Sequence, residues 1–127
     1  MANEISTNFQ LGLINGNLND PGPNLGQILV GQSVAALWKR TVTLTAAADT
    51  DVGALVAGIT TAGICYIFNL DATNYVQWGP NNAGAIDVIG KLKPKDIPAV
   101  FRLDPSFSLR MKANTGNCEI LICIYED

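Results

Sequence analysis

The 127-residue chain contains no histidine. That absence removes the commonest general base and the commonest metal ligand together. Neither a Ser-His-Asp nor a Cys-His site can be assembled within one chain. Charge is scarce as well, at 15% of residues against about 25% in a typical soluble domain. The net charge is −3 and no basic cluster occurs; Lys39–Arg40 is the longest basic run. Nucleic-acid binding needs a basic patch to displace counterions, so that class is excluded, and Lys39–Arg40 reads as a solvated strand segment. Cysteine is limited to Cys65, Cys118 and Cys123, an odd number and a poor disulfide framework. Cys118 and Cys123 lie five apart on what reads as one strand, hence on opposite faces. All three read as buried, small apolar residues, and they lack the paired spacing of a structural zinc site.

Long apolar runs are missing too. None reaches the roughly 20 residues that cross a bilayer as a helix, so no membrane partner is expected. Residues 1–10 are polar and lack the basic-then-apolar pattern of a signal peptide. No Asn-x-Ser/Thr acceptor occurs, and synthesis in a cytoplasm is the expectation. Neither the Walker pattern nor a strand-to-helix GxGxxG is present, and Gly22-Pro23-Asn24-Leu25-Gly26 reads as a turn. Carboxylates are the remaining route to chemistry. Asp49 and Asp51 lack the further oxygens of a calcium loop and read as a turn and cap. Glu126-Asp127 reads as a solvated tail, and no acid pair has glycosidase spacing. No catalytic residue, cofactor or metal is therefore expected.

What is present is apolar and alternating. The chain is 48% hydrophobic, enough for one core in a single domain. Residues 1–27 stand apart. Phe9, Leu11 and Leu13 alternate with Gln10 and Gly12 as a single short strand, and turn residues crowd from Asn15 to Asn24. This predicts an N-terminal arm over 1–27 and a domain over 28–127. Thr41-Val42-Thr43-Leu44-Thr45 has strict period two. Asp49–Ala57 fits either a short helix or a strand over Val52–Val56. Ile64–Leu70 is apolar on both faces, as a central strand is, and a turn at Asp71–Asn74 joins it to Tyr75–Trp78 as a hairpin. Further strands are expected over Ile86–Leu92, from Ile97 to Leu103 with Pro98 marking an edge, over Phe107–Lys112 and over Cys118–Tyr125. Seven or eight short strands separated by turns predict an all-β, antiparallel two-sheet sandwich, jelly-roll-like, with an extended N-terminal arm.

The stretch Tyr66-Ile67-Phe68-Asn69-Leu70-Asp71-Ala72-Thr73-Asn74-Tyr75-Val76-Gln77-Trp78-Gly79 resembles a hairpin that recurs in small virion proteins of tailed phages, of the form (F/I)xNLDxTNYVxxG. Lys91-Leu92-Lys93-Pro94 leading to Val100-Phe101-Arg102-Leu103 is similar as well. So is Leu109-Arg110-Met111-Lys112-Ala113-Asn114-Thr115 before a last hydrophobic strand. Pro94-Lys95-Asp96 departs from the Pro-Gly and acid that such proteins often carry. The resemblance runs from about residue 41 to the end and implies a non-enzymatic structural protein of the particle. A capsid decoration or cement protein is the first expectation. It would sit on the outside of the phage head, bridge major capsid protein subunits and form a homo-oligomer, a trimer foremost. The alternatives are a tail or neck connector and a carbohydrate-binding module of a receptor-binding fibre using Tyr75, Gln77 and Trp78. Arm logic and apolar character make Phe9, Leu11, Leu13 and Trp38 the candidate partner contacts.

Overall fold

The computed structural model describes residues 4–10, 13–15, 18–20, 24–31, 36–104 and 108–127. The chain divides into two compact units, Met1–Val34 and Ala35–Asp127. The expected boundary after residue 27 falls inside a strand, Asn24–Gly31.

In the first unit, β1 (Glu4–Gln10) pairs antiparallel with β4 (Asn24–Gly31), and β2 (Leu13–Asn15) pairs with β3 (Leu18–Asp20). Phe9 and Leu13 thus lie on different strands, not on the single strand expected. The polar-looking start of the chain alternates through Ile5 and Thr7, which extends the first strand upstream of Phe9. Leu11 lies outside the described residues.

The second unit is a β-sandwich. One sheet has the order β10 (Gly90–Leu92), β8 (Val76–Asn82), β12 (Leu109–Ala113), β6 (Thr50–Asp51), with β9 (Ala85–Ile86) paired to β8. The other has the order β11 (Ala99–Arg102), β7 (Ala62–Asn69), β13 (Cys118–Glu126), β5 (Leu37–Leu44). From β5 onward the chain changes sheet at every connection except β8 to β9 to β10, so each sheet interleaves distant parts of the sequence. Every ladder is antiparallel.

Period two decides what is buried. Cys65 and Ile67 of β7, Ile120, Ile122 and Ile124 of β13, and Met111 and Ala113 of β12 fill the space between the sheets. Trp38 and Leu44 of β5 and Val76 of β8 join them. Trp78 of one sheet stacks on Phe101 of the other, with ring centroids 4.9 Å apart and planes 4° from parallel. All three cysteines are free and buried. β11 is an edge strand, and Pro98, which cannot donate to a ladder, stands just before its first residue rather than within it.

Several expectations are corrected. Ile64–Leu70 and Tyr75–Trp78 do not form a hairpin: β7 and β8 lie in different sheets, and the turn between them is an arch from one layer to the other. The apolar two-faced strand β7 takes a central place between β11 and β13, leaving β8 to pair with β10 and β12. Asp49–Ala57 contains neither the helix nor the Val52–Val56 strand; a turn at residues 53–55 follows β6. It is held by the Leu55 amide donating to the Val52 carbonyl at 3.0 Å and the Gly53 amide to Asp51 Oδ1 at 2.9 Å. Residues 86–92 are split between β9 and β10. The Asp87 and Ile89 amides still donate to Pro80 and Trp78 of β8, at 2.9 and 3.1 Å. Gly79 permits this close course, since a Cβ there would meet the Asp87 carbonyl oxygen at 1.8 Å. Glu126 is not a solvated tail. It is 6% exposed, because alternation along β13 puts it on the inward side with Ile124. Its Oε1 accepts the Thr60 and Thr61 amides at 3.1 and 3.3 Å. Asp127 pairs with Arg102.

Candidate interaction face

The two sheets differ in what they turn outward. On the outer side of the β10–β8–β12–β6 sheet, Lys91, Gln77 and Lys112 stand side by side in register. That is an ordinary solvated face. The outer side of the β11–β7–β13–β5 sheet is apolar. Tyr66 is flanked by Val100 on one side and Cys123 on the other, with Lys39 next across β5. Phe68 lies beside Leu121, and Leu121 beside Thr41. Tyr125 lies beside Leu37, while Ile64 neighbours Arg102.

Ile64, Tyr66, Phe68, Leu121 and Tyr125 are half-buried, whereas the inward residues alternating with them on β7 and β13 are buried. Leu37 and Val100 are 54% and 52% exposed. The centre of the face is thus aromatic and aliphatic, and Arg102, Lys39, Thr41, Thr43 and Glu119 form its rim. An apolar centre with a polar rim is the anatomy of a protein–protein contact. The Tyr125 hydroxyl is raised above its ordinary pKa, first by its hydrogen bond with Cys123 and then by burial.

The arch between β7 and β8 holds one end of this sheet in place. Buried Asn69 uses all four of its hydrogen-bonding positions. Its Nδ2 donates to the Asn74 and Leu92 carbonyls at 2.9 and 3.0 Å. Its Oδ1 accepts the Asp71 amide at 2.9 Å and the Cys118 thiol at 3.2 Å. Asp71 Oδ1 accepts the Thr73 and Asn74 amides, both at 2.7 Å, and these bonds pull its pKa below the usual carboxylate value. Asn74 Oδ1 accepts Thr115 Oγ1 at 2.9 Å, and Asn114 Oδ1 accepts the Tyr75 amide at 2.9 Å. The stretch from Asn69 to Tyr75 therefore bends the chain between the layers.

The cluster at the other candidate acids is also architectural. Arg110, on β12, pairs with Asp49 and reaches Asp51 at 3.8 Å. Asp49 Oδ2 accepts the Ile86 amide at 2.7 Å, and Asp51 Oδ1 accepts Ser108 Oγ at 3.1 Å. The two acids expected to cap a turn thus also tie β6 to β12 and β9. Burial pushes the Cys65 thiol up to about 12, with Cys123 adding to it. Burial, then Asp71 and Glu119, push Cys118 up to about 11. Both thiols stay protonated and are poor nucleophiles. A cleft at one end of the sandwich is lined by Val52, Val56, Ile59, Thr60, Leu103, Leu109 and Ile124, and its surface is polar and apolar in nearly equal parts.

Of the four candidate contacts, Phe9 lies on β1 opposite Gly26 and Leu13 on β2 opposite Asp20. Trp38 is 6% exposed and belongs to the core of the second unit, so its role there is packing. Trp78 is half-buried: Phe101 stacks on its ring, and the Gly90 backbone lies so close that a Cβ there would meet the indole at 2.7 Å. Tyr75 carries the Lys91 ammonium 5.3 Å above its ring. The ring surface that a sugar would need is engaged internally at both positions. Sequence reasoning missed the apolar outer face. Its signal was present in the two-sided apolar character of Ile64–Leu70 and Cys118–Tyr125, which was ascribed wholly to the core. No protein family, curated protein or solved structure matches the chain.

Proposed function

We propose that this chain is a non-enzymatic structural protein of a phage particle, a decoration or cement protein that binds the outside of the head and bridges major capsid protein subunits. The observation that carries the reading is the apolar, aromatic outer face of the β11–β7–β13–β5 sheet on an otherwise charge-poor sandwich. A small domain that leaves such a face uncovered is built to be covered by other protein. Three further features support it. The interleaved strand order suits the jelly-roll reading of the sandwich, a fold at home in viral shells. The thiols are held in their unreactive form. The segment resembling virion proteins coincides with the interlayer arch. In this reading the particle is stabilised mechanically: many weak, repeated contacts add up through effective concentration, and outward pressure is shared between neighbouring subunits. The protein is made in the host bacterial cytoplasm and resides on the capsid surface as a homo-oligomer, a trimer foremost.

The test is cosedimentation with empty heads that lack the protein, with tails as the control. Saturable binding to heads at a fixed ratio to the capsid subunit is the expected result. Binding to tails alone would replace decoration with the connector reading. Changing Phe9, Leu11 and Leu13 together to serine is expected to lower head occupancy while leaving the thermal transition of the sandwich in place; unchanged occupancy would remove the arm from the attachment.

A further inference from the structure

From the outer face and the first unit together, we infer that the apolar face of the β11–β7–β13–β5 sheet receives the β1–β4 ribbon of a second copy of this chain. The inference rests on the decoration reading and names the contact that holds its oligomer together. A two-stranded ribbon is at best marginally stable in water unless a surface completes it. The register of this one sorts its positions by polarity. Ile5 lies opposite Val30, Thr7 opposite Ile28 and Phe9 opposite Gly26. Between them, exposed Ser6 and Asn8 lie opposite Leu29 and Gln27. Period two therefore gives one set of paired positions that is mainly apolar and another that is mainly polar.

The face matches the ribbon in length. β1 and β4 have 7 and 8 residues, and β7 and β13 have 8 and 9. At about 3.3 Å per residue these are elements of one length, near 25 Å. All eight Lys and Arg residues of the chain lie beyond residue 38, and the only side-chain charges in residues 1–34 are those of Glu4 and Asp20. The ribbon itself carries one acid, Glu4, and no cation, and the rim of the face offers Lys39 and Arg102 against Glu119. Tyr66, Phe68 and Leu121 supply the apolar centre, with Leu37 and Val100 exposed at its sides. A contact of ribbon on face joins unlike surfaces; copies linked this way close into a ring where the rotation between them closes and run on as a filament where it does not, and the decoration reading requires the closed form.

The full chain is examined by sedimentation velocity in three forms: unaltered, with Leu37→Glu and Val100→Glu on the face, and with Phe9→Glu and Ile28→Glu in the ribbon. Circular dichroism and a cooperative melt confirm that each variant is folded. The unaltered chain is expected to sediment as a closed oligomer. Each altered chain is expected to fall to monomer, its association weakened by about tenfold or more. A mixture of the two altered chains retains one sound ribbon and one sound face. It is expected to form a one-to-one heterodimer and stop there. A monomeric unaltered chain at about 100 µM, association that survives either pair of changes, or a mixture that stays monomeric would each overturn the inference. The last is what docking onto the chain's own face would give, whereas face-to-face pairing would show as association that survives the ribbon changes. A monomer that still saturates heads defeats the ribbon contact alone, whereas an oligomer that ignores heads defeats decoration alone.

Discussion

Ala83 sits at φ 50° and Gly84 at φ 91°, the two residues between Asn82 and Ala85, which pair in the β8–β9 hairpin. Positive φ at both central positions is the geometry of a primed turn, for which Asn-Gly is the favoured pair. Alanine gains nothing from its side chain there and bears the left-handed strain. Ala83→Asn is expected to stabilise the second unit by about 0.5–1 kcal/mol, read as a raised urea midpoint with an unchanged m-value. At the same scale, the buried thiols set an alkaline limit. Cys65 is raised to about 12 when folded, against an ordinary value of about 8.5. A group whose folded pKa is raised gives its full stabilisation below the unfolded pKa and loses it as pH rises through the folded one. Stability should therefore fall progressively above about pH 8.5. Cys65→Ala should flatten part of that slope, though it opens a small cavity and lowers stability at pH 7. A parallel pair of pH–stability curves checks this; identical alkaline slopes would show that Cys65 is not responsible.

Elements were easier to find in the sequence than their partners. Thr41–Thr45, Ile64–Leu70, Phe107–Lys112 and Cys118–Tyr125 were all legible as strands from period two and turn residues, and each overlaps an observed strand. Their assembly was not legible. Asp71–Asn74 signals a reversal of the chain equally well within a sheet or between sheets. What decides is Asn69, whose amide bridges to Leu92, 23 positions away. Glu126 was misplaced for a similar reason: its partners, the Thr60 and Thr61 amides, are more than 60 positions distant. The apolar outer face was hidden because a strand apolar on both sides looks the same whether both faces are buried or one is kept for a partner. The arch yields a prediction at this scale. Asn69→Leu keeps the volume but leaves buried groups at Asn74, Leu92 and Asp71 without their partners. It should cost about 2–4 kcal/mol, measured by chemical denaturation. A loss below about 0.5 kcal/mol would mean that the arch is held by Asp71 and Asn114 alone.

At the scale of the whole molecule, the two units should differ in how they open. The Ala35–Asp127 sandwich holds the buried core found among the described residues, and β13 lies at its centre with partners on both sides. The Met1–Val34 unit consists of two-stranded ladders. Amide exchange samples openings that range from local fraying to global unfolding, and protection follows the free energy of the cheapest opening. The Ile120 and Ile122 amides should exchange only through global unfolding of the sandwich. Those of β1 and β4 should exchange orders of magnitude faster in any chain whose ribbon is uncovered, since two strands alone are barely stable. Hydrogen exchange read by mass spectrometry on the full chain measures both sets at once. Dilution through the association midpoint should speed exchange in β1 and β4 and on the outer rows of β7 and β13 together, and leave the inner ladder of β12 unchanged. Coincident loss of protection in ribbon and face ties the two surfaces to one equilibrium. Loss in the ribbon alone would mean that the face is covered by something other than a second copy, and the capsid subunit would then be the first candidate to try.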